Sequence, residues 1–201
     1  MANKSSRLLW AQKIARMESG RDVLSCARET LSKSKAYTRV GFFGTVIGID
    51  PSLRGTGIAV VRQLQNSAPE FLASELVHNS PRLTQAECLR EIFRAVEKMA
   101  KKFSVDAAAV EQTIYVQNNQ TALILGSARG AAIAAVANFD VPVYEYPPLR
   151  IKQAVVGFGR ASKEQVSKTV ASILKIQALG FDESDAAAAA LAHIFTHKDL
   201  V

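Results

Sequence analysis

The stretch "VIGIDPSLRGTGIAVV", residues 46–61, contains two apolar runs separated by a short turn. Short apolar runs bounded by glycine and proline are typical of buried β-strands. Because the connection between them is short, the two strands are expected to pair as antiparallel neighbours. The first run closes on a single carboxylate, Asp50. A carboxylate at the end of a buried strand costs free energy unless something pairs with it, so Asp50 is a candidate functional residue.

Three further strands are predicted along the chain, at "EFLASELV" (70–77), "DAAAVEQ" (106–112) and "VPVYEY" (141–146). Helical periodicity separates the last two from the strands before them. Pro81, behind Ser80 as a cap, is predicted to open the first of these helices. Helical crossovers make the later strands parallel to the first. The predicted fold class is therefore α/β, a mixed five-stranded sheet with helices on both faces.

Small residues dominate the helix predicted at "TALILGSARGAAIAAVANF" (121–139), and three more helices are predicted after the last strand. The glycines of "GSARGAA" lie inside a helical pattern, so they indicate close helix packing rather than a phosphate-binding loop. The turn "DPSLRGTG" lacks the Gly-Lys-Ser/Thr of a Walker loop. His193 and His197 lie four residues apart without a third ligand, and we interpret them as ordinary helix residues.

The composition describes a globular domain with a basic appendage. The chain has 201 residues, 48% of them apolar, and a net charge of +7. No run of about 18 apolar residues occurs, so no membrane partner is expected. The two cysteines, Cys26 and Cys88, lie far apart without metal-ligand spacing, which favours a reducing compartment over a disulfide scaffold.

Most of the excess charge lies at the N-terminus. Residues 1–40 contain nine Lys and Arg and three Asp and Glu, and an amphipathic helical pattern runs through Trp10, Met17 and Leu24. We therefore divide the chain into a basic N-terminal helical extension and linker, 1–44, and a domain, 45–201. A packed helical arm, a nucleic-acid-binding tail and a transit peptide all remain open for the extension.

Four carboxylates are expected to meet at one edge of the sheet. Glu111 closes the fourth strand as Asp50 closes the first, and parallel strands of such sheets bind ligands outside their carboxyl ends. Asp182 and Asp185 share one face at a predicted helix start. Converging carboxylates repel one another unless a cation lies among them. Oxygen ligands without Cys or His select Mg²⁺ or Mn²⁺, and a pair of such ions suits displacement at phosphorus.

Four motifs, in order, resemble the RuvC-type Holliday-junction resolvases, the crossover junction endodeoxyribonucleases. They are "GIDPSLRGTGIAVV", "VEQTIYVQNNQTALILGSARGAAIAAV", "VYEYPPLRIKQAVVGFGRASKEQV" and "DESDAAAAALAH". The resemblance spans about residues 46–197 and implies a ribonuclease H-like fold. It also implies a homodimer that makes paired, symmetric, Mg²⁺-dependent nicks in four-way DNA junctions during recombination and repair.

The resemblance assigns roles residue by residue. The catalytic and metal-binding residues are Asp50, Glu111, Asp182 and Asp185, which would hold two Mg²⁺ ions with Mn²⁺ as a substitute. Lys152 and Lys163 match basic residues near the cleaved strand. The sequence departs from the family at Ser52, where glycine is usual, and at Ile114, where an aromatic residue is usual. Either Ile114 or the following Tyr115 is therefore expected to contact junction bases.

The resemblance further implies a bacterial cytoplasmic protein with a branch-migration motor complex as a partner, organellar import through the N-terminal segment being the alternative. Two other functions remain open from the sequence. One is a junction-binding protein without catalytic activity, which the intact set of acids disfavours. The other is a nuclease of the same fold that acts on RNA, which the "GRASKEQV" motif disfavours. Cleavage assays on junction, duplex and RNA substrates separate these functions.

Overall fold

The computed structural model describes residues 39–112 and 118–200. Within these ranges the strands are β1 (Arg39–Gly41), β2 (Gly44–Asp50), β3 (Gly55–Gln63), β4 (Glu70–His78), β5 (Ala107–Glu111), β6 (Val143–Tyr146) and β7 (Lys198–Leu200). The helices are α1 (Gln85–Phe103), α2 (Asn119–Ala137), α3 (Pro148–Val156), α4 (Lys163–Leu174) and α5 (Phe181–Thr196). Residues 40–199 form one compact unit.

The central sheet has five strands in the order β4-β3-β2-β5-β6. β2, β3 and β4 form an antiparallel meander, whereas β5 runs parallel to both β2 and β6. The predicted mixed five-stranded sheet is confirmed, together with the adjacency of the strands that carry Asp50 and Glu111. β1 and β7 pair in a separate two-stranded sheet.

The two faces of the sheet are covered by different helices, and alternation along the strands sets which side chains face which helix. Ile47 and Ile49 of β2 pack in one core with residues of α1 and α2. Val46, together with Ala107 and Ala109 of β5, packs in the other core with α3, α4 and α5. The predicted placement of helices on both faces is therefore confirmed.

The first helix begins later than the sequence pattern indicated. Thr84, not Ser80, is the N-cap of α1, since its hydroxyl accepts from the Glu87 amide at 3.3 Å while the Glu87 carboxylate accepts from the Thr84 amide at 2.8 Å. The Ser80 carbonyl instead accepts from Arg54 at 2.6 Å and from the Leu83 amide at 3.1 Å, which closes a turn. The prediction at Ser80 and Pro81 was wrong because a reciprocal capping box outcompetes a lone serine–proline pair.

α2 contains the whole "GSARGAA" segment, as predicted for a helix. Within the described ranges, it is also the one helix long and apolar enough to cross a membrane by length and composition. A core helix of a globular protein meets the same two criteria, and Ala128, Ala132 and Ala135 of α2 are fully buried in the core shared with α1.

The two histidines of the C-terminal helix pack among aromatic rings. The His193 and His197 rings stack with centroids 4.5 Å apart, and Tyr144 lies at a similar distance from both. His193 is fully buried, and its Nδ1 lies 2.8 Å from the hydroxyl of Tyr146. This packing fits the interpretation of both histidines as structural residues of α5.

The predicted N-terminal helix, through Trp10, Met17 and Leu24, lies outside the described residues. So does most of the predicted extension 1–44, and the division of the chain at residue 45 stays a prediction.

Candidate active site

Asp50 and Glu111 come together because their strands are hydrogen-bonded neighbours. Ile49 of β2 pairs with Val110 of β5, and each is followed by one of the two acids. The side chains line one open cleft of about 360 Å³ at the carboxyl ends of the parallel strands, and Asp185 lines the same cleft. The sequence therefore predicted the location of this cleft and three of its acidic residues.

The cleft disfavours the charged forms of two of its acids, Asp50 and Glu111. Burial is the main cause that raises the pKa of Asp50 to about 6, and the Asp185 charge raises it further, against the opposing effect of Lys163. Burial followed by the Asp50 charge raises the pKa of Glu111 to about 7. Both carboxyls thus hold protons more tightly than free side chains, because burial and the neighbouring acids disfavour their charged forms.

Close approach of α5 to the sheet positions the third acid. A Cβ atom at Gly48 would lie 1.9 Å from the Ala186 carbonyl oxygen, and one at Gly57 would lie 2.0 Å from that of Asp182. Only residues without a side chain fit at these two positions. The alanine run Ala186–Ala190 lies fully buried against the same surface. The first two turns of α5 therefore lie directly on β3 and β2.

Asp182 and Asp185 occupy different places in this arrangement. Asp185 lines the cleft, whereas the Asp182 carboxylate lies near Gly55, where an added Cβ would stand 3.2 Å from its Oδ2. Asp182 still acts through its charge, since it raises the pKa of both Asp50 and Lys163. The structure brings three of the four predicted acids into the cleft and places the fourth beside it.

Two lysines provide positive charge in the cleft. Lys163, the first residue of α4, forms an ion pair with Asp185 at 3.0 Å, and a hydrogen bond to that carboxylate raises the pKa of Lys163. Lys152 of α3 donates to the Ala161 carbonyl at 2.9 Å. Both predicted basic residues therefore line the cleft, Lys152 half-buried and Lys163 exposed to solvent.

The turn after Asp50 is held at both ends. The Thr56 hydroxyl accepts from the Ser52 amide at 3.1 Å and donates to the Ser52 carbonyl at 2.5 Å. Asn79 donates to the Leu53 carbonyl at 2.8 Å, which ties the turn to the end of β4. Ser52 does not adopt a positive φ, so the turn has no need of the glycine that is usual in the family.

Sequence reasoning missed several contributors to the cleft. The remaining lining residues are Pro51, Ser52, Gln112, Leu125, Pro148, Ile151 and Val166. Gln112 was detectable from the sequence, because it directly follows Glu111. In the structure its backbone N–H donates to the Tyr146 carbonyl at 2.9 Å. Ile114 and Tyr115, predicted to contact bases, lie outside the described residues.

The donor set of the cleft fits a hard divalent cation. Its acids offer only oxygen ligands, and its lining includes no thiol or imidazole. Over the ranges 39–112 and 118–200, no three Asp, Glu, His or Cys side chains already stand in a ligand cluster. The Lys163 ammonium supplies the positive charge beside Asp185 in this arrangement.

A model of the family described as crossover junction endodeoxyribonuclease RuvC matches residues 46–193. The chain belongs to the RuvC family. The RuvC of Photobacterium profundum is 41% identical over 157 residues, covering 78% of this chain and 90% of that protein. The RuvC of Cupriavidus necator is 36% identical over 149 residues, covering 74% of this chain and 82% of that protein.

Solved RuvC structures have the same fold. Thermus thermophilus RuvC in complex with Holliday junction substrate matches with a TM-score of 0.71 at 34% identity, covering 76% of this chain and 93% of that chain. The yeast mitochondrial Holliday junction resolvase Ydc2 matches with a TM-score of 0.54 at 12% identity, which shows a shared fold alone. The predicted ribonuclease H-like fold and the RuvC resemblance are confirmed, and so is the enzyme class, a nuclease.

Proposed function

We propose that this protein resolves four-way DNA junctions by paired, symmetric nicks. The observation that carries the proposal is the cleft where Asp50, Glu111 and Asp185 face two lysines, in a chain of the RuvC family. A protein that only bound junctions would gain nothing from gathering acids beside a phosphate, because they would repel it. The arrangement suits hydrolysis of a phosphodiester.

Mg²⁺ is the metal we propose for this cleft, two ions per site, with Mn²⁺ as a substitute. The residues that would hold it are Asp50, Glu111, Asp182 and Asp185. Support comes from the oxygen-only donor set and from the raised pKa values of Asp50 and Glu111, which burial raises first and neighbouring acids raise further, since a cation would stabilise the charged forms of both carboxyls. When bound, such ions would activate the attacking water and stabilise the leaving oxygen.

The side chains of the protein bind and orient the strand. Lys152 uses one of its three N–H donors on the Ala161 carbonyl, which fixes its ammonium at the cleft wall and leaves two donors for phosphate oxygens. Lys163 presents a second ammonium from the N-terminus of α4, where the helix dipole also favours an anion. Together they would place a phosphate over the acids.

We further propose a homodimer formed through α2. One stripe of this helix is exposed and made of small or apolar side chains, including Gly126, Gly130 and Ala134, with Leu123 72% exposed at its start. Small residues let two helices approach closely, and a two-fold dimer would present two clefts to a junction with two-fold symmetry. We also propose that the protein acts in the bacterial cytoplasm and that a branch-migration motor complex is its partner.

One cleavage experiment tests the function. A four-way DNA junction, labelled in turn on each strand, is incubated with the full chain and Mg²⁺, beside a duplex of the same sequence and an RNA junction. We expect symmetric nicks in two opposed strands of the DNA junction and intact controls. EDTA should abolish the nicks.

Three results would contradict the proposal. Junction binding without nicks in either Mg²⁺ or Mn²⁺ would identify a non-catalytic binder. Preferential cutting of RNA would identify an RNA-processing nuclease. Undiminished nicking in excess EDTA would contradict the metal assignment.

A further inference from the structure

A second exposed surface lies where α3 passes into α4. We call it the rim, and it consists of Leu149, Phe158 and Arg160. Leu149 is 62% exposed and Phe158 is 48% exposed, which is unusual for large apolar side chains so close to one another in sequence. Arg160 is exposed beside them. Exposed apolar groups of this kind are expected where a partner covers them.

The rim borders the cleft. Leu149 and Lys152 are three residues apart on α3, so their side chains share a face of the helix. Gly159 packs on Leu149, since a Cβ built there would lie 3.2 Å from the Leu149 carbonyl oxygen. The hydrogen bond from Lys152 to Ala161 then ties the far end of the loop to the cleft wall.

The loop that carries Phe158 and Arg160 is short and fixed at both ends. Gly157 ends α3 in the left-handed region with φ at 93°, and Ser162 opens α4 with a reciprocal capping box to Gln165. Ala161 between them is buried. A loop held in this way presents Phe158 without a large loss of entropy on binding.

The charge of this segment matches a polyanion. Residues 147–163 contain Arg150, Lys152, Arg160 and Lys163, and they contain no Asp or Glu. Apolar side chains set among cations suit single-stranded nucleic acid, which offers flat bases and phosphates alternately. In paired duplex arms the faces of the bases are already stacked, so a phenyl ring finds a free face only at the open centre of a junction.

We propose that the rim binds the strand beside the cut, with Phe158 stacking on a base that the open junction leaves unpaired, Leu149 supporting that base, and Arg160 binding a neighbouring phosphate. This inference rests on the proposed function. It assigns junction recognition to the α3–α4 loop in addition to the acidic cleft.

Fluorescence tests the rim directly. Junctions carrying 2-aminopurine beside the cut are bound in EDTA, where no cleavage is expected, by wild-type protein and by Phe158→Ala, Phe158→Leu and Leu64→Ala. Stacking on Phe158 should quench the wild-type complex, and both Phe158 variants should lose that quenching. Leu64 is a matched control, because it is 53% exposed but follows β3 at the end of the sheet opposite Asp50.

Single-turnover cleavage in Mg²⁺ is measured on the same set. Since one stacked base contributes ~1–3 kcal/mol, Phe158→Ala should slow junction cleavage by roughly 5- to 160-fold, while Leu64→Ala should match wild type. Arg160→Gln should lower the salt dependence of junction binding by about one phosphate contact. Phe158→Leu keeps an apolar side chain, so it separates loss of stacking from loss of folding.

Failure of the rim and failure of the proposed function give different results. A wild-type protein that leaves junctions intact overturns the proposed function. A wild-type protein that cleaves, with Phe158→Ala and Phe158→Leu quenching and cleaving like Leu64→Ala, overturns the rim alone. Sedimentation with phosphatidylserine vesicles that requires Phe158, without any change in the junction signal, would show a membrane contact instead and would also overturn it.

Discussion

At the scale of single residues, the cleft buries acidic side chains whose charged forms burial disfavours. Asp50 has a pKa of about 6 and Glu111 one of about 7, because each is withdrawn from water beside other acids. The acids can therefore be tested one at a time. Removing one negative charge should lower the cleavage rate and raise the stability of the fold.

Asp50→Asn should separate binding from catalysis. The amide keeps the shape of the side chain but lacks the charge that would hold Mg²⁺, so single-turnover junction cleavage should fall by orders of magnitude. Junction binding in EDTA should persist or tighten, because a negative charge near phosphate is removed. The control is Asp140→Asn, at an exposed turn residue with φ of 56°, where asparagine is tolerated. Cleavage by Asp50→Asn at the wild-type rate would mean that the central acid is misassigned.

The raised pKa values also predict how metal-free stability changes with pH. Below about pH 3 both acids are mostly protonated in the folded and unfolded chains, so neither destabilises the fold. As pH rises toward 7, the unfolded chain releases these protons first, and the free energy of unfolding falls. Asp50→Asn has no titrating carboxyl at this position, so its free energy of unfolding falls less as pH rises. The variant should therefore gain about 2–3 kcal/mol relative to wild type between pH 4 and pH 8.

Urea unfolding of both proteins in EDTA at the two pH values checks this prediction. Saturating Mg²⁺ should shrink the difference, because a cation would stabilise the charged form of Asp50 in the wild-type protein. A difference that stays constant from pH 4 to pH 8 would show that Asp50 titrates normally.

Lys163→Gln tests the basic side of the cleft. The change removes the ion pair with Asp185 and one ammonium from the proposed phosphate site. We expect junction cleavage to slow by at least about tenfold, since charged hydrogen bonds contribute about 1.5–3 kcal/mol. Lys168→Gln, at an exposed position further along α4, is the matched control. Equal cleavage rates for the two variants would show that Lys163 is a solvated helix lysine without a role in cleavage.

At the scale of elements, the order and direction of the strands were predictable because apolar runs and crossover lengths are local features of the sequence. The start of α1 at Gln85 was missed although it is also a local feature, since Thr84 and Glu87 have the Thr-x-x-Glu spacing of a capping box, which the interpretation of Ser80 and Pro81 overlooked. The unequal placement of Asp182 and Asp185 also escaped prediction. This placement depends on the position of α5 along β3, and the hydrophobic periodicity of the sequence does not specify that position.

α2 carries the prediction for the dimer. Gly130→Glu places a charge in the exposed small-residue stripe and should convert a dimer to a monomer in light scattering at micromolar concentration. Monomers should leave junctions with single nicks instead of paired ones, while metal-dependent chemistry persists. Ser172→Glu, an exposed substitution on α4, is the control. Paired nicking by a Gly130→Glu monomer would contradict the interface.

At the scale of the whole molecule, the excess positive charge lies at the N-terminus, outside the described residues. Deleting residues 2–38 leaves β1 in place and removes most of this charge. If the segment binds phosphates, junction affinity should become less sensitive to salt, by about 0.9 in logarithmic slope for each phosphate that the shortened chain no longer binds. Cleavage at low salt should persist. An unchanged slope would favour the packed arm or the transit peptide.

The two glycines beneath α5 have a consequence for inheritance. Every missense change of a glycine codon adds at least a Cβ atom. At Gly48 and Gly57 that atom would lie 1.9 and 2.0 Å from a backbone carbonyl oxygen of α5. No replacement is therefore conservative at either codon, whatever its polarity. In a population, both codons should be as depleted of variants as the codon for Asp50, although neither glycine contributes a reactive group.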